Sequence, residues 1–284
     1  MSLQMATMDM AHIISNVYSG ATGGNITIDP STFNNNGKDG LNVSSIGSIT
    51  LTDVVADDNT SNGAYLDNSG GGFGNINIDS SIFSDNQTTG RGLIAHSNHD
   101  ISLNDVTASE NGGGGAELDN SFGTGSILLT GNNTFNDNGF NLNPSVGLYA
   151  VSNFDVNLNG ITDLGNGYQG SSGLGGGAFM ATNFGNLSIT NGIFSMNCPY
   201  CELGFGFVAF SGGDTTLQGI TADSNGNNDP KNTGSTAVGG LIFTDGDVSV
   251  TNSNFSGNCV FGDCAGGGIE VLRACKRITP HFNI

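Results

Sequence analysis

The chain has 284 residues, 47 of them glycine; only 11% are charged, and 25 acids against six Lys and Arg leave a formal charge of −19. Such a surface repels phosphate backbones, which need Lys and Arg to displace their counterions, so nucleic-acid partners are excluded. No apolar run approaches the roughly 20 residues a spanning helix needs, so no membrane insertion is expected. The acidity suits solubility, capture of a divalent cation, or a salty medium.

Residues 1–11 are an irregular segment without the basic and apolar regions of a signal peptide. The expectation is a processed form or a piece of a longer chain with further repeats. Residues 12–24 read as the last strand and turn of an incomplete coil. Short segments of alternating polarity then recur at 24–29, 47–52, 74–79, 99–104, 125–130, 154–159, 185–190, 213–218 and 246–251. Alternation with period two marks a half-buried strand, here strand a. Strand b follows within two or three residues, and after a turn comes strand c. Strand c is read at 40–44, 63–67, 92–96, 115–119, 147–151, 177–181, 206–210, 240–244 and 268–272. The pattern stops at a basic tail, 273–284, so the predicted units are 1–11, 12–272 and 273–284.

Strand b ends each time in one phrase: an apolar residue, two polar ones and an asparagine. It reads Phe33-Asn34-Asn35-Asn36, then Ala56-Asp57-Asp58-Asn59, Phe83-Ser84-Asp85-Asn86, and onward to Phe255-Ser256-Gly257-Asn258. Counting a weaker copy at Asn166, successive asparagines lie 23 to 33 residues apart, the period of stacked repeats. With no helical pattern, the predicted fold is all-β: a right-handed parallel β-helix, or solenoid, of about nine coils with three short strands per coil. The apolar residue alternates between Phe and Ala, which lets layers interdigitate at a coil spacing of about 4.8 Å. The asparagines are expected to form an internal ladder, because an amide both donates and accepts.

The stretch GNITIDPSTFNNNGKDGLNVSS and its later copies resemble the right-handed parallel β-helix repeats of the pectin-lyase-like superfamily. The Gly- and Asn-rich style is similar to bacterial surface or adhesin-like repeats. The resemblance covers about residues 12–272. It implies the fold, and it leaves open lyases, hydrolases, spikes and adhesins, since one fold hosts many functions.

Lyases of this fold need a basic residue and calcium-holding acids, yet only Lys38 and Arg91 lie in the regular coils, without a lyase motif around them. Asp57, Asp58, Asp85, Glu110, Asp137 and Asp223 form an even acidic stripe. It reads as a solvated face, with Ca²⁺ as the candidate cofactor because that ion takes oxygen ligands. Asp163 falls in the Phe/Ala column. A buried carboxylate is costly, so a bulge turning Leu164 inward is expected instead. The outward side of strand c carries an apolar strip, Tyr149, Val151, Phe179, Val208, Phe210 and Ile242, flanked by the longest turns, which are expected either to frame a groove or to cover the strip. These are the candidate binding residues.

The strand a face presents small polar groups interrupted by Leu128, an ordinary solvated sheet. Cys198, Cys201, Cys259 and Cys264 are disulfide candidates, which fits an extracellular or cell-surface location; zinc spacing is poor and Cys275 is left over. The histidines lack metal spacing. Two functions are therefore expected. One is a non-catalytic adhesin or scaffold that binds polysaccharide or a cell-surface glycan. The other is a lyase or glycoside hydrolase with carboxylates in the same groove.

Overall fold

A computed structural model of the chain describes residues 12–16, 24–71, 73–87, 89–139, 146–167, 174–198, 203–226, 236–258 and 267–273. Two long parallel sheets run its length. Strand c forms one, stacked in strict chain order from His12–Asn16 to Gly267–Arg273. Strand a forms the other, from Ile26–Ile28 to Val248–Thr251. Strand b is short; it pairs as Ser31–Thr32 with Val54–Val55 and continues as bridges from Val55 through Ile82 and Thr107 to Thr134. In two coils strands a and b fuse, as Val156–Leu164 and Leu187–Ser195. Every pairing is parallel and joins one coil to the next, so the architecture is the expected solenoid.

The corners explain the acidic stripe. The residue before each ladder asparagine must turn the chain with positive φ: 57° at Asp58, 56° at Asp85, 59° at Glu110 and 53° at Asp137. Short polar side chains tolerate this left-handed region better than branched or bulky ones, which accounts for the aspartates. Asp57 and Asp223 serve the backbone as well. Asp57 accepts the Ser84 N–H at 2.7 Å, and Asp223 accepts the Ser256 N–H at 2.9 Å.

The interior is a checkerboard with a period of two coils. The Phe/Ala column runs Phe33, Ala56, Phe83, Ala108, Phe135, Asp163, Phe194, Ala222, Phe255. A second column, the first inward position of strand c, keeps the same phase: Leu41, Ala64, Leu93, Ala116, Leu148, Ala178, Phe207, Gly240, Ile269. The next inward position keeps the opposite phase: Val43, Leu66, Ala95, Leu118, Ala150, Met180, Ala209, Ile242, Val271. A coil that is large at one position is small at the other. Each large side chain therefore reaches over a small one above and below, filling the space at native density without clashes. On strand b, Ser81 and Asn133 lie in the coils of Phe83 and Phe135, and Val54 and Val106 in those of Ala56 and Ala108. The Ser81 and Asn133 side chains accept the Val54 and Val106 N–H groups at 3.1 Å each.

The asparagine ladder is complete through this seam. Asn86 Nδ2 donates to Asn111 Oδ1 at 2.9 Å, and Asn111 Nδ2 donates to Asn138 Oδ1 at 3.0 Å. The second Nδ2 proton goes back to the carbonyl of the Phe/Ala column, as from Asn111 to Phe83 at 3.0 Å. The same Oδ1 also accepts the backbone N–H of the previous asparagine, as from Asn86 to Asn111 at 3.1 Å. A glycine column faces the ladder: Gly40, Gly63, Gly92, Gly115, Gly147, Gly177, Gly206 and Gly239. A Cβ on Gly63 would lie 2.7 Å from Asn86 Nδ2, and one on Gly206 would lie 2.7 Å from Asn225 Nδ2.

Two expectations are corrected here. Ile242 does not face outward: it is fully buried and stacks between Ala209 and Val271. The ladder-facing glycine of that coil is Gly239, not Gly240, which shifts the strand by one residue and turns every side chain over. Gly240 fills a core place, where a Cβ would lie 2.4 Å from the Phe207 ring. Asp163 also stays in the column, fully buried and paired in register with Phe194, while Leu164 is half-buried; no bulge forms. An aspartate is small enough for the Ala phase. Asn166 Nδ2 binds its Oδ1 at 2.9 Å, while Oδ2 closes no hydrogen bond. Burial raises its pKa well above the usual carboxylate value, against the opposing pull of Asn166, Asn197 and the Leu148 N–H.

Candidate functional site

With the register known, the outward side of the strand c sheet consists of two columns. The first reads Asn42, Tyr65, Ile94, Glu117, Tyr149, Phe179, Val208, Leu241, Glu270. The second reads Ser44, Asp67, His96, Asp119, Val151, Ala181, Phe210, Phe243, Leu272. Tyr149, Val151, Phe179, Val208 and Phe210 do share this face and are half-buried. Leu241 and Phe243 complete the strip in place of Ile242.

The aromatic residues of the strip stack along the solenoid axis. Tyr149 and Phe179 have ring centroids 5.2 Å apart with planes 9° apart, and Phe210 and Phe243 lie 4.7 Å apart at 5°. Phe179 and Phe210 link the two pairs at 5.6 Å and 41°. Ring faces are turned toward one another, and the edges form an apolar rail. Such pairs add about 0.5–1.5 kcal/mol each beyond the area they bury.

One coil before Tyr149 the face changes character. Glu117, beside Tyr149 in the register, is held by two side chains: Arg91 Nη1 binds Oε2, and His96 Nε2 lies 3.1 Å from Oε1. Tyr65 packs edge-on against His96 at 5.7 Å. Burial pushes the Glu117 carboxyl up, but the His96 hydrogen bond and the Arg91 charge outweigh it, and the group lies below its ordinary value. His96 is raised, first by its bond to Glu117, although burial opposes. Tyr149 is raised by burial and then by Asp119 and Glu117. Asp67 and Asp119 accept the N–H groups of Ser69 and Ser121 at 2.8 Å, so both cap the turns that follow.

Sequence reasoning placed Glu117 and His96 in these columns but missed their union with Arg91. The three come from two coils, and only the pairing register brings them together. It also missed a row of exposed phenylalanines, Phe73, Phe122, Phe154 and Phe184, on the corner between strands c and a. Cys198 is buried and disulfide-bonded. Cys201, Cys259 and Cys264 lie outside the described residues, as do the turns 140–145, 168–173, 199–202 and 227–235. Among the described residues no three His, Cys, Asp or Glu side chains are grouped to hold a metal ion.

The family model for the right handed beta helix region matches residues 11–163, more than half of the chain. The chain belongs to the right-handed β-helix family. The match spans the most regular coils, from the edge of the first described strand to Asp163, and it carries the fold without a reaction. No curated protein and no solved structure matches the chain.

Proposed function

We propose that this right-handed β-helix is a non-catalytic segment of an extracellular or cell-surface adhesin or scaffold, and that it binds a neutral polysaccharide across the strand c face. The observation that carries the reading is the switch on that face, from the Arg91–Glu117–His96 network to the Tyr149–Phe243 rail, within one coil spacing of about 4.8 Å. An apolar rail bordered by polar groups suits a pyranose chain, whose rings carry apolar C–H patches between hydroxyls. The formal charge of −19 disfavours a polyanionic ligand.

The enzymatic alternative needs a carboxylic acid able to donate a proton beside a second carboxylate. Glu117 and Asp119 occupy alternate places on one strand next to Tyr149 and Val151, which is the arrangement that would favour it. Their chemistry argues the other way. The Arg91 charge and the His96 hydrogen bond lower the Glu117 pKa, which disfavours the protonated acid, and Asp119 accepts a turn N–H.

A glycan array comparing the native chain with Tyr149→Ala and Phe243→Ala tests the binding reading. Loss of signal in both variants, with unchanged far-UV dichroism, is the expected result; retained binding would remove the rail as the site. Release of new reducing or unsaturated ends from any bound glycan, abolished by Glu117→Gln, would replace the reading with the enzymatic one.

A further inference from the structure

The corner between strands c and a carries an aromatic ring on each of five successive coils: Phe73, His99, Phe122, Phe154 and Phe184. Prominence alternates with the two-coil period of the core. Phe73, Phe122 and Phe184 are 84%, 92% and 60% exposed, whereas Phe154 is 43% exposed and His99 is half-buried. Phe73 and Phe122 sit in the long turns that follow buried Asn68 and Asn120, and His99 and Phe154 sit in the short turns that follow buried Ser97 and Ser152. Phe73 and His99 touch, with ring centroids 6.3 Å apart, and beside them a Cβ added to Gly70 or Gly71 would meet no atom within 4 Å. Phenylalanine left this open to water is costly at about 25 cal/mol per Å² of apolar surface, so a repeated row marks a contact surface.

We infer that this corner is a second binding surface, distinct from the strand c face, and that it docks onto the flat surface of an insoluble β-1,4-glucan. The three prominent rings rise two coils, about 10 Å, from one to the next. In an extended β-1,4-linked chain successive sugars are flipped, so the same pyranose face returns once per disaccharide, at a rise close to two coils. A phenyl ring presented every two coils therefore meets an equivalent face each time. The prominent rings are 60% to 92% exposed, which favours the flat face of a glucan lattice over a single chain held in a groove. Its polar neighbours are short amides and hydroxyls, such as Asn98, Ser121 and Asn153, suited to sugar hydroxyls. No Lys or Arg lies among these turns, and with a formal charge of −19 a polyanion is disfavoured.

The test is depletion of the chain from solution by microcrystalline cellulose, comparing the native protein with Phe122→Ala and with Phe73→Ala/Phe122→Ala/Phe184→Ala. All three positions are exposed, so the variants are expected to keep native dichroism and melting temperature. The single change should weaken partitioning several-fold and the triple change by at least about tenfold, as loss of aromatic anchors does elsewhere. Failure of the native chain to bind cellulose, or equal binding by the triple variant, overturns the proposal. Retention on chitin but not on cellulose overturns the choice of glucan. A concentration-dependent dimer in sedimentation velocity that the triple variant abolishes would assign the corner to self-association instead. Leu128→Ala, an exposed change on the strand a face away from the corner, should leave cellulose binding unchanged.

Discussion

The same strand behaves in opposite ways on its two sides. Inward, strand c repeats with a period of two coils from Leu41 to Ile269, and no coil breaks the alternation. Outward, it has no period. It carries charge through Glu117 and His96, turns aromatic at Tyr149, and returns to an acid at Glu270. The inward side answers to a neighbour about 4.8 Å away on each side, so every residue is constrained by two others of fixed identity. The outward side answers only to solvent and to whatever docks there. A change of character that no packing rule demands is therefore where a binding role belongs.

The sharpest way to break the inward half of the comparison is to keep composition and reverse phase. In Ala116→Leu/Leu118→Ala the coil keeps its atoms, but the leucine introduced at position 116 meets Leu93 and Leu148. The alanine introduced at position 118 leaves a void between Ala95 and Ala150. Overpacking and cavity costs add, so a loss of about 3–8 kcal/mol is expected in urea unfolding. A loss below about 1 kcal/mol would mean that the columns repack freely and that phase carries no information. Phe135→Ala is the simpler deletion. It empties a fully buried site and should cost about 3–5 kcal/mol by the same measurement.

The period, the strands, the Phe/Ala column and the asparagine ladder were legible because each is enforced at every coil, so the sequence repeats the reason many times. Where one coil offers two local solutions, the repeats do not decide. Gly239 and Gly240 fit the ladder-facing place equally well as letters. The choice rests on Phe207, whose ring needs the space above Gly240, and on Asn258 Nδ2, which lies 2.8 Å from a Cβ built on Gly239. The corner phenylalanines were hidden for a different reason. Turn lengths vary, so Phe73 lies three residues before Ile76, Phe122 five before Ile127 and Phe154 two before Val156, and no fixed spacing aligns them. The Arg91–Glu117–His96 union needed the register between coils.

Asp163 sits where the two halves of the comparison meet, a polar residue obeying a packing rule. Its carboxyl has the size the Ala phase requires and a charge the site disfavours. Asn166 keeps bonds to the Phe135 carbonyl at 2.7 Å and Asn197 Oδ1 at 3.2 Å when the carboxylate is removed. Asp163→Ala should therefore stabilise the fold at pH 7 by about 1–3 kcal/mol, the scale of an unsatisfied buried polar group. The sign with pH follows from linkage. The folded pKa is raised above the ordinary 3.8, so the native chain is penalised progressively as pH rises above 3.8 and the unfolded carboxyl ionises. The advantage of the alanine variant should shrink in urea melts at about pH 3. An advantage equal at both pH values would make it a packing effect alone.

The smallest expected effect sharpens the outward half. Glu117 is lowered and His96 raised, so their pairing has two edges in pH. The carboxylate contribution is present above its ordinary 4.5 and is lost as pH falls through the lower folded value. The imidazolium contribution is present below its ordinary 6.5 and is lost as pH rises through the higher folded value. Both act together between about pH 4.5 and 6.5. Near-surface pairs contribute little, so Glu117→Gln should cost no more than about 1 kcal/mol, with the largest difference from the native chain inside that window. If instead the loss exceeds that of Phe135→Ala, this network is part of the structural seam rather than of the solvent-facing surface. The contrast between a constrained interior and a permissive exterior would then fail at the coil where the binding face begins.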